Sequence, residues 1–391
     1  MNFSKKKQSA LMMFSKSDQE ATWTRMNSNF HQAAFDDATL LKLEIYRQYI
    51  ISWIPTFAKQ NSHTFWNGKI NIFDFFCGPG EDHQGQKGSP LIAVEECRKF
   101  HDQLIAKNRV VNLYFSDDKK LKVSQLENLL AIQNLPTTIQ YRTETSTFSD
   151  SLSNNLPCMQ RSANLLFIDQ CGIKEVTPEI FRVLTSLKGT DFLFFISSSF
   201  FSRFKKSTEF KQYLDTTGHL HDDTPYYDTH RVIAAMYREM IPQNTKYYLA
   251  PFTLKKGANL YGLIFGSGNL KGILKFLTVC WEIDPERGEA NFDIDNDNLP
   301  NKPGMMPDLF KDNERANKVM VFQETLEEKL LQGEFNTDEE VVVYTLEAGF
   351  LPTKHARPIV QKLKAAKKLS YEGRLRLSGA CINNPRSLTR C

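Results

Sequence analysis

Asp74-Phe-Phe-Cys77-Gly78-Pro-Gly80 closes a continuous apolar run from Lys69 to Phe76 and holds the clearest chemical signal in the chain. Such a run reads as a buried strand. Glycines at the turn leaving a strand let backbone approach a ligand closely, and the free N–H groups of the following helix face the same space. About forty residues on, a second run, Val110 to Phe115, ends in Asp117-Asp118. A carboxylate at the end of a neighbouring strand can accept hydrogen bonds from both hydroxyls of a ribose. Alone, the glycines could mark no more than a tight turn; together the two features point to an adenosine-type cofactor.

The elements that must position these residues alternate along the chain. Leu40, Leu41, Leu43, Tyr46, Tyr49, Ile50, Trp53 and Phe57 recur at spacings of three and four after the candidate caps Asp37 and Thr39, predicting an amphipathic helix. After the first strand come a helix over 90–100, a strand over 110–115, a helix over 121–130, a weaker strand over 138–142, strands over 164–168 and 192–196, and a helix over 178–187. This alternation predicts right-handed βαβ units in a doubly wound parallel sheet. Segments 246–252 and 259–265, separated by a short Lys255-Lys256-Gly257 turn, read as an antiparallel pair, followed by a helix over 271–281.

Charge reverses sharply further on. From Glu282 to Glu347 there are 18 acidic and 6 basic residues, whereas from Pro352 to Cys391 there are 10 basic and one acidic. The first stretch begins with an Asp/Asn/Pro/Gly-rich linker over 284–315; the second reads as helix over 338–348, turn, helix over 354–367 and a strand pair over 369–377, the outline of a winged helix. Lys354, Arg357, Lys362, Lys364, Lys367 and Lys368 are its candidate phosphate contacts, the alternative being a solvated helix face. Arg203, which follows the fifth strand with Lys205 and Lys206, is a further candidate. The expected units are a polar segment (1–35), a Rossmann-like domain (36–283), an acidic linker and helix (284–334) and a basic winged helix (335–391).

Other constellations are weaker. His219, His221, Asp222, Asp223, Asp228 and His230 have ligand chemistry but no metalloprotease spacing, so a solvated loop is expected and no metal. The seven Cys residues are odd in number, scattered and form no CxxC pair, which argues against a disulfide framework or a zinc ribbon and for a reducing compartment. No apolar run approaches the roughly 20 residues that span a bilayer, so a cytoplasmic protein without membrane contact is expected.

Several segments in this order resemble the three-Cys-motif partner protein family: Leu40 to Tyr49, Ile72 to Gly80, Gly88-Ser-Pro-Leu-Ile-Ala93, Phe167-Ile-Asp169-Gln-Cys-Gly172, Phe200 to Phe204, Tyr247 to Phe252, Gly262 to Phe265 and Ala348 to Ala356. The resemblance covers roughly residues 36–380. It implies a class I methyltransferase-like α/β fold with an N-terminal helix and a C-terminal winged helix, S-adenosylmethionine as cofactor, and a radical-type iron–sulfur three-Cys-motif protein as partner. It also implies that Asp74, Gly78 and Gly80 belong to the first cofactor motif, Asp117 or Asp118 to the ribose, Thr147 and Phe148 to the adenine, and Asp169 to the catalytic end of the fourth strand. The family's commoner Asp-Pro-aromatic-Gly is replaced here by Asp169-Gln170-Cys171-Gly172, which lacks the proline and ring that hold an amino-group acceptor. Asp169 remains a candidate general base. Cys171 is either a thiolate nucleophile for pyrimidine C5 methylation or a small buried hydrophobe.

Methylation of nucleic acid is the leading expectation. A non-catalytic accessory partner that keeps a cofactor pocket, and a methyltransferase of a peptide or small molecule, are the alternatives.

Overall fold

The computed structural model describes residues 34–59, 66–169, 175–197, 229–256, 259–283, 318–371, 376–377 and 384–390. The apolar runs build one seven-stranded sheet of order β3-β2-β1-β4-β5-β7-β6. β1 (Ile70–Asp74), β2 (Val111–Asp117), β3 (Ile139–Thr145), β4 (Ala163–Ile168) and β5 (Thr190–Ser197) are parallel. β6 (Tyr248–Lys256) and β7 (Asn259–Ser267) form an antiparallel hairpin, with β7 seated against β5. Strand order runs outward in both directions from β1 and β4, so the crevice of the sheet opens at the carboxyl ends of these two strands. The sheet is that of a Rossmann-like α/β fold.

Helices cover both faces, which is why the strands read as unbroken apolar runs rather than alternating ones. On one face α1 (Asp37–Ala58), α2 (Ser89–Arg98), α3 (His101–Ala106), α4 (Lys120–Ala131) and α8 (Leu270–Ile283) bury Ile70, Ile72, Leu113, Phe167 and Phe265. On the other, α5 (Phe148–Met159), α6 (Pro178–Ser186) and α7 (Thr229–Glu239) bury Phe73, Phe75, Leu166, Phe192 and Phe194. The predicted alternation is therefore present, with two local differences. β1 stops at Asp74 rather than Phe76, because Phe75 and Phe76 already belong to the turn. The polar Thr/Ser stretch after β3 is the helix α5, started by the Thr147 side chain accepting the Asp150 amide.

Register near the amino ends of the strands is held by a line of buried amides. Asn112 donates to Asn71 Oδ1 at 3.0 Å, Asn71 to Asn164 Oδ1 at 3.0 Å, and Asn164 to Thr190 Oγ1 at 2.9 Å. These residues are direct partners across β2, β1, β4 and β5. Sliding any of these strands by one residue would leave buried amides unpaired, at about 1–3 kcal/mol each.

α1 lies across this sheet with its polar tips pointed at carboxylates. Tyr49 Oη and Trp53 Nε1 donate to Asp191 Oδ2 at 2.8 and 2.9 Å, and Ser267 Oγ donates to Asp191 Oδ1 at 2.6 Å. Asp191, at the start of β5, is buried, and burial raises its pKa against the pull of these three donors. One acid thus joins α1, β5 and β7.

The C-terminal module comprises α9 (Lys318–Gln332), α10 (Asp338–Glu347), a single π-helical turn (Pro352–Ala356), α11 (Arg357–Ala365) and the short pair β8 (Leu369–Ser370) and β9 (Thr389–Arg390). α10 begins with a capping box, Thr337 and Glu340 each satisfying the other's backbone N–H. The predicted helix over 354–367 is two pieces, a π turn after Pro352 and then α11, and instead of a strand pair within 369–377, β8 pairs with the C-terminal residues 389–390. The module is fastened to the sheet domain. Trp281 Nε1 donates to Gly349 O at 3.0 Å, Arg238 pairs with Glu347 Oε1 at 3.2 Å, and Trp281 lies 4.2 Å from the His355 ring, centroid to centroid. Burial holds the His355 imidazole down at about 4, so it is neutral there, and its Nδ1 accepts the Leu351 amide at 2.9 Å.

Asp191→Ala is expected to lower unfolding free energy by about 3–5 kcal/mol in denaturant titrations, because three buried donors lose their acceptor, against about 1 kcal/mol for Tyr49→Phe. Similar losses for the two variants would show that the carboxylate is not the joint.

Candidate functional site

The carboxyl ends of β1, β2 and β4 bring together three of the acids singled out in the sequence. Asp74 ends β1, Asp117 ends β2, and Asp169 follows β4.

Asp74 is fully buried and incompletely satisfied. Its Oδ1 accepts the Phe76 amide at 3.2 Å, while Oδ2 has no hydrogen-bond partner among the described residues. Burial raises its pKa to about 7; the Ser89 hydroxyl and the Phe76 amide pull it down, and Asp169 and Asp117 push it up. Tyr46 of α1 feels the same charge: its hydroxyl is buried, has no hydrogen-bond partner among the described residues, and is raised well above the ordinary phenol value by burial and then by Asp74. Two orphaned polar atoms at the end of a central strand are what a site for a polar ligand looks like before the ligand binds.

Asp117 is 4% exposed and faces the glycine turn. Gly78 N–H donates to its Oδ2 at 3.2 Å, Lys119 N–H to its Oδ1 at 2.9 Å, and Lys122 Nζ lies 3.7 Å away. Burial raises its pKa, with Lys122 and the two amides acting against it. Asp118 is exposed and paired with Lys119 at 2.9 Å, and its charge helps raise the Asp117 pKa; of the two candidates for a ribose, Asp117 is the buried one. Gly78 and Gly80 have φ of +61° and +95°, the left-handed region that a β-branched residue avoids. Beyond them Asp82 holds the loop by accepting the amides of Gln84, Gln86 and Phe35 at 2.8–2.9 Å.

Thr147 and Phe148 are less available than the sequence suggests. The Thr147 hydroxyl caps α5, and Phe148 is buried at 5.1 Å from Phe75 and 5.7 Å from Phe76, ring to ring. Their position after β3 is as expected; their side chains are engaged in holding the helix and the core.

Asp169 is ion-paired with Lys42 of α1, a residue that sequence reasoning missed as functional. The Lys42 side chain is 10% exposed and that of Asp169 is 29% exposed, and the ammonium also sits 4.7 Å from the centre of the Phe195 ring. The signal in the sequence is weak, since Lys42 stands four residues before Tyr46 on the stripe facing the sheet but its long side chain could equally reach solvent.

Cys77 is buried, and burial raises its thiol well above the ordinary value, so it is packing rather than a nucleophile. Cys171, Arg203 and the cluster from His219 to His230 lie outside the described residues, apart from the backbone of the last, in α7. Among the described residues no three His, Cys, Asp or Glu side chains are grouped to hold a metal ion, and no helix is long and apolar enough to cross a membrane. A groove of about 400 Å³ on the flank of α1 is lined by Leu40, Leu41, Leu43, Glu44, Arg47, Gln86 and Ile92; none of the acids above borders it.

On the winged helix the basic residues have unequal surroundings. Lys362 pairs with Glu327 of α9 at 2.7 Å, Lys364 lies 3.8 Å from the centre of the Tyr371 ring, and Lys354 lies 5.0 Å from that of Trp281. Lys367 and Lys368 are exposed at the end of α11, and Arg357 is half-buried at its start.

Residues 293–374 match the GMT-like wHTH domain family. Among solved structures the chain is similar to an S-adenosylmethionine-dependent methyltransferase from Agrobacterium tumefaciens, at 7% identity and TM-score 0.34 over 60% of this chain and 64% of that one. It is also similar to the methyltransferase PaMTH1 of Podospora anserina, at 8% identity and TM-score 0.26 over 64% and 97%, and to human methyltransferase 10 domain containing protein, at 10% and 0.27 over 57% and 82%. The alignment to the Agrobacterium protein thus spans just under two thirds of its length. No curated protein matches the chain.

Asp74 sets a pH dependence of known sign. An unfolded chain loses this proton near pH 4 and the folded chain near 7, so the folded state is penalised increasingly as pH rises from 4 to 7 and uniformly above. Asp74→Asn removes the penalty, and its stability gain over the parent is expected to be on the order of 3 kcal/mol larger at pH 8 than at pH 4. Thermal melts of both proteins across this range measure it; equal gains at both ends would mean that folding leaves the Asp74 pKa unshifted.

Proposed function

We propose that this protein is an S-adenosylmethionine-dependent methyltransferase acting on nucleic acid. The observation that carries the reading is the pairing of two buried carboxylates, Asp74 and Asp117, at adjacent carboxyl ends of the parallel sheet, beside the left-handed Gly78 and Gly80. The residues suit the cofactor. Asp117 can accept from ribose hydroxyls, and the orphaned Oδ2 of Asp74 can accept from the ammonium of the methionine portion, which would also favour its ionised form. The bound cofactor would supply an electrophilic methyl group. Asp169, on the partly open side of the cleft, would orient the acceptor and take its proton.

The winged helix supports the choice of acceptor. α11 and the turn that follows it offer Arg357, Lys364, Lys367 and Lys368 for phosphate contact, with Lys362 committed in part to Glu327. We extend the proposal to the remaining inferences: sheet domain 36–283 and winged helix 335–391 as separate units, a cytoplasmic location, and association with a radical-type iron–sulfur protein as the family resemblance implies. The accessory-partner reading draws on one observation, the Lys42 ion pair that occupies Asp169.

Calorimetry of the full chain with S-adenosylmethionine and S-adenosylhomocysteine tests the first half. Micromolar binding is expected, and its loss in Gly78→Val and Asp117→Ala variants that still melt cooperatively; binding retained in both would sink the cofactor reading. Gel-shift titrations of the full chain at several salt concentrations test the second. Replacing Lys364, Lys367 and Lys368 by Ala is expected to weaken binding evenly across sequences and to flatten the log–log salt slope by about 2–3 on duplex DNA. A winged helix that serves as a protein-docking surface would show no such slope.

A further inference from the structure

Three charged groups meet on the α1 side of the sheet at its carboxyl edge. Asp74 is the register partner of Phe167, and Asp169 stands two residues beyond Phe167, on the same face by strand alternation. The negative charge of Asp169 is felt at Asp74, so the two carboxylates share one neighbourhood. Across from them Lys42 descends from α1. Among the described residues it is the one cation in salt-bridge contact with Asp169, and its other neighbour is the face of Phe195. An ammonium held between a carboxylate and a ring, with a tenth of its side chain exposed, has exchanged most of its water for these two partners and has little freedom to leave.

We propose that Lys42 sets the charge of this edge and thereby the balance between the sulfonium cofactor and its thioether product. The inference rests on the cofactor reading above. A sulfonium carries a positive charge that the demethylated thioether lacks. Left uncompensated, the Asp169 carboxylate would hold the first more tightly than the second; the Lys42 ammonium cancels its charge and narrows the difference. The same ion pair fixes the Asp169 carboxyl group through Oδ2. Lys42 is in this sense a positioning and discriminating residue that acts through Asp169.

The test is calorimetric titration of the full chain with S-adenosylmethionine and S-adenosylhomocysteine, read as the ratio of the two dissociation constants. Lys42→Met removes the ammonium and keeps much of the volume, and it is expected to shift the ratio in favour of the sulfonium by about tenfold, the scale of one unit charge in a partly wet site. Lys42→Arg keeps the charge and is expected to stay within about twofold of the parent. Asp169→Asn leaves the ammonium unopposed and should shift the ratio about tenfold the other way. This opposite arm keeps the test available should Lys42→Met fail to fold. An unmoved ratio in Lys42→Met or Asp169→Asn, with both ligands bound, overturns the inference and leaves the cofactor reading standing. A parent protein that binds neither ligand overturns both.

Discussion

Much of this molecule depends on one constraint: the sheet carries buried or half-buried carboxylates on the face that α1 covers, and each needs a partner from above. Lys42, Tyr46, Tyr49 and Trp53 recur at spacings of four, three and four, so they form a single stripe along α1. Lys42 meets Asp169, Tyr46 lies in the field of Asp74, and Tyr49 and Trp53 meet Asp191. The stripe is amphipathic in an unusual sense. Its rings supply apolar contact, as in the stacking of Tyr46 on Phe167 at 4.4 Å, and its tips supply donors. At the amino end of the sheet the acid is fully satisfied and acts as a joint. Toward the carboxyl end satisfaction fails at Asp74, and that failure is where a ligand has something to gain.

This gradient explains what was legible in the sequence and what was not. Strands buried on both faces announce themselves as apolar runs, so β1, β2, β4 and β5 and the glycine turn could be placed without coordinates. The acids at the strand ends were legible for the same reason, since they interrupt those runs. Lys42 was not, because in a helical stripe a long charged side chain ordinarily reaches solvent, and its burial depends on Asp169, 127 residues away. Asp191 was hidden likewise: at the head of an apolar strand it reads as the last residue of a turn. α5 was missed because its outward face, Ser149, Asp150, Ser153 and Asn154, hides a helix whose cap, Thr147, was in plain view.

The two units of the chain are joined through side chains that serve both cores. Trp281, in the last turn of α8, lies against the π turn, its indole donating to Gly349 while its ring meets His355 and Phe350. Arg238 at the end of α7 reaches Glu347, whose carboxyl pKa is raised by burial against the attraction of that guanidinium. Such contacts differ from a flexible tether: α11 is carried at a set position relative to the sheet rather than searching for it. A polynucleotide gripped by α11 would therefore be presented in a restricted set of positions, a gain in orientation that a freely linked domain lacks.

The fourth-strand loop gives this arrangement its sharpest chemical consequence. Where proline and an aromatic ring would clamp a planar amino-bearing base, this chain has Gln170, Cys171 and Gly172 after Asp169. Under the proposed function, selectivity for an acceptor would then have to come from elsewhere, and two sources are on hand. One is charge, because under the proposed function Asp169, already matched by Lys42, would offer an acceptor an ordered dipole rather than a bare anion. The other is placement, because the winged helix is fastened to the sheet domain by Trp281 and Arg238. A site built this way would discriminate by where the substrate is held more than by the shape of a single base, which fits an acceptor recognised through its phosphate backbone.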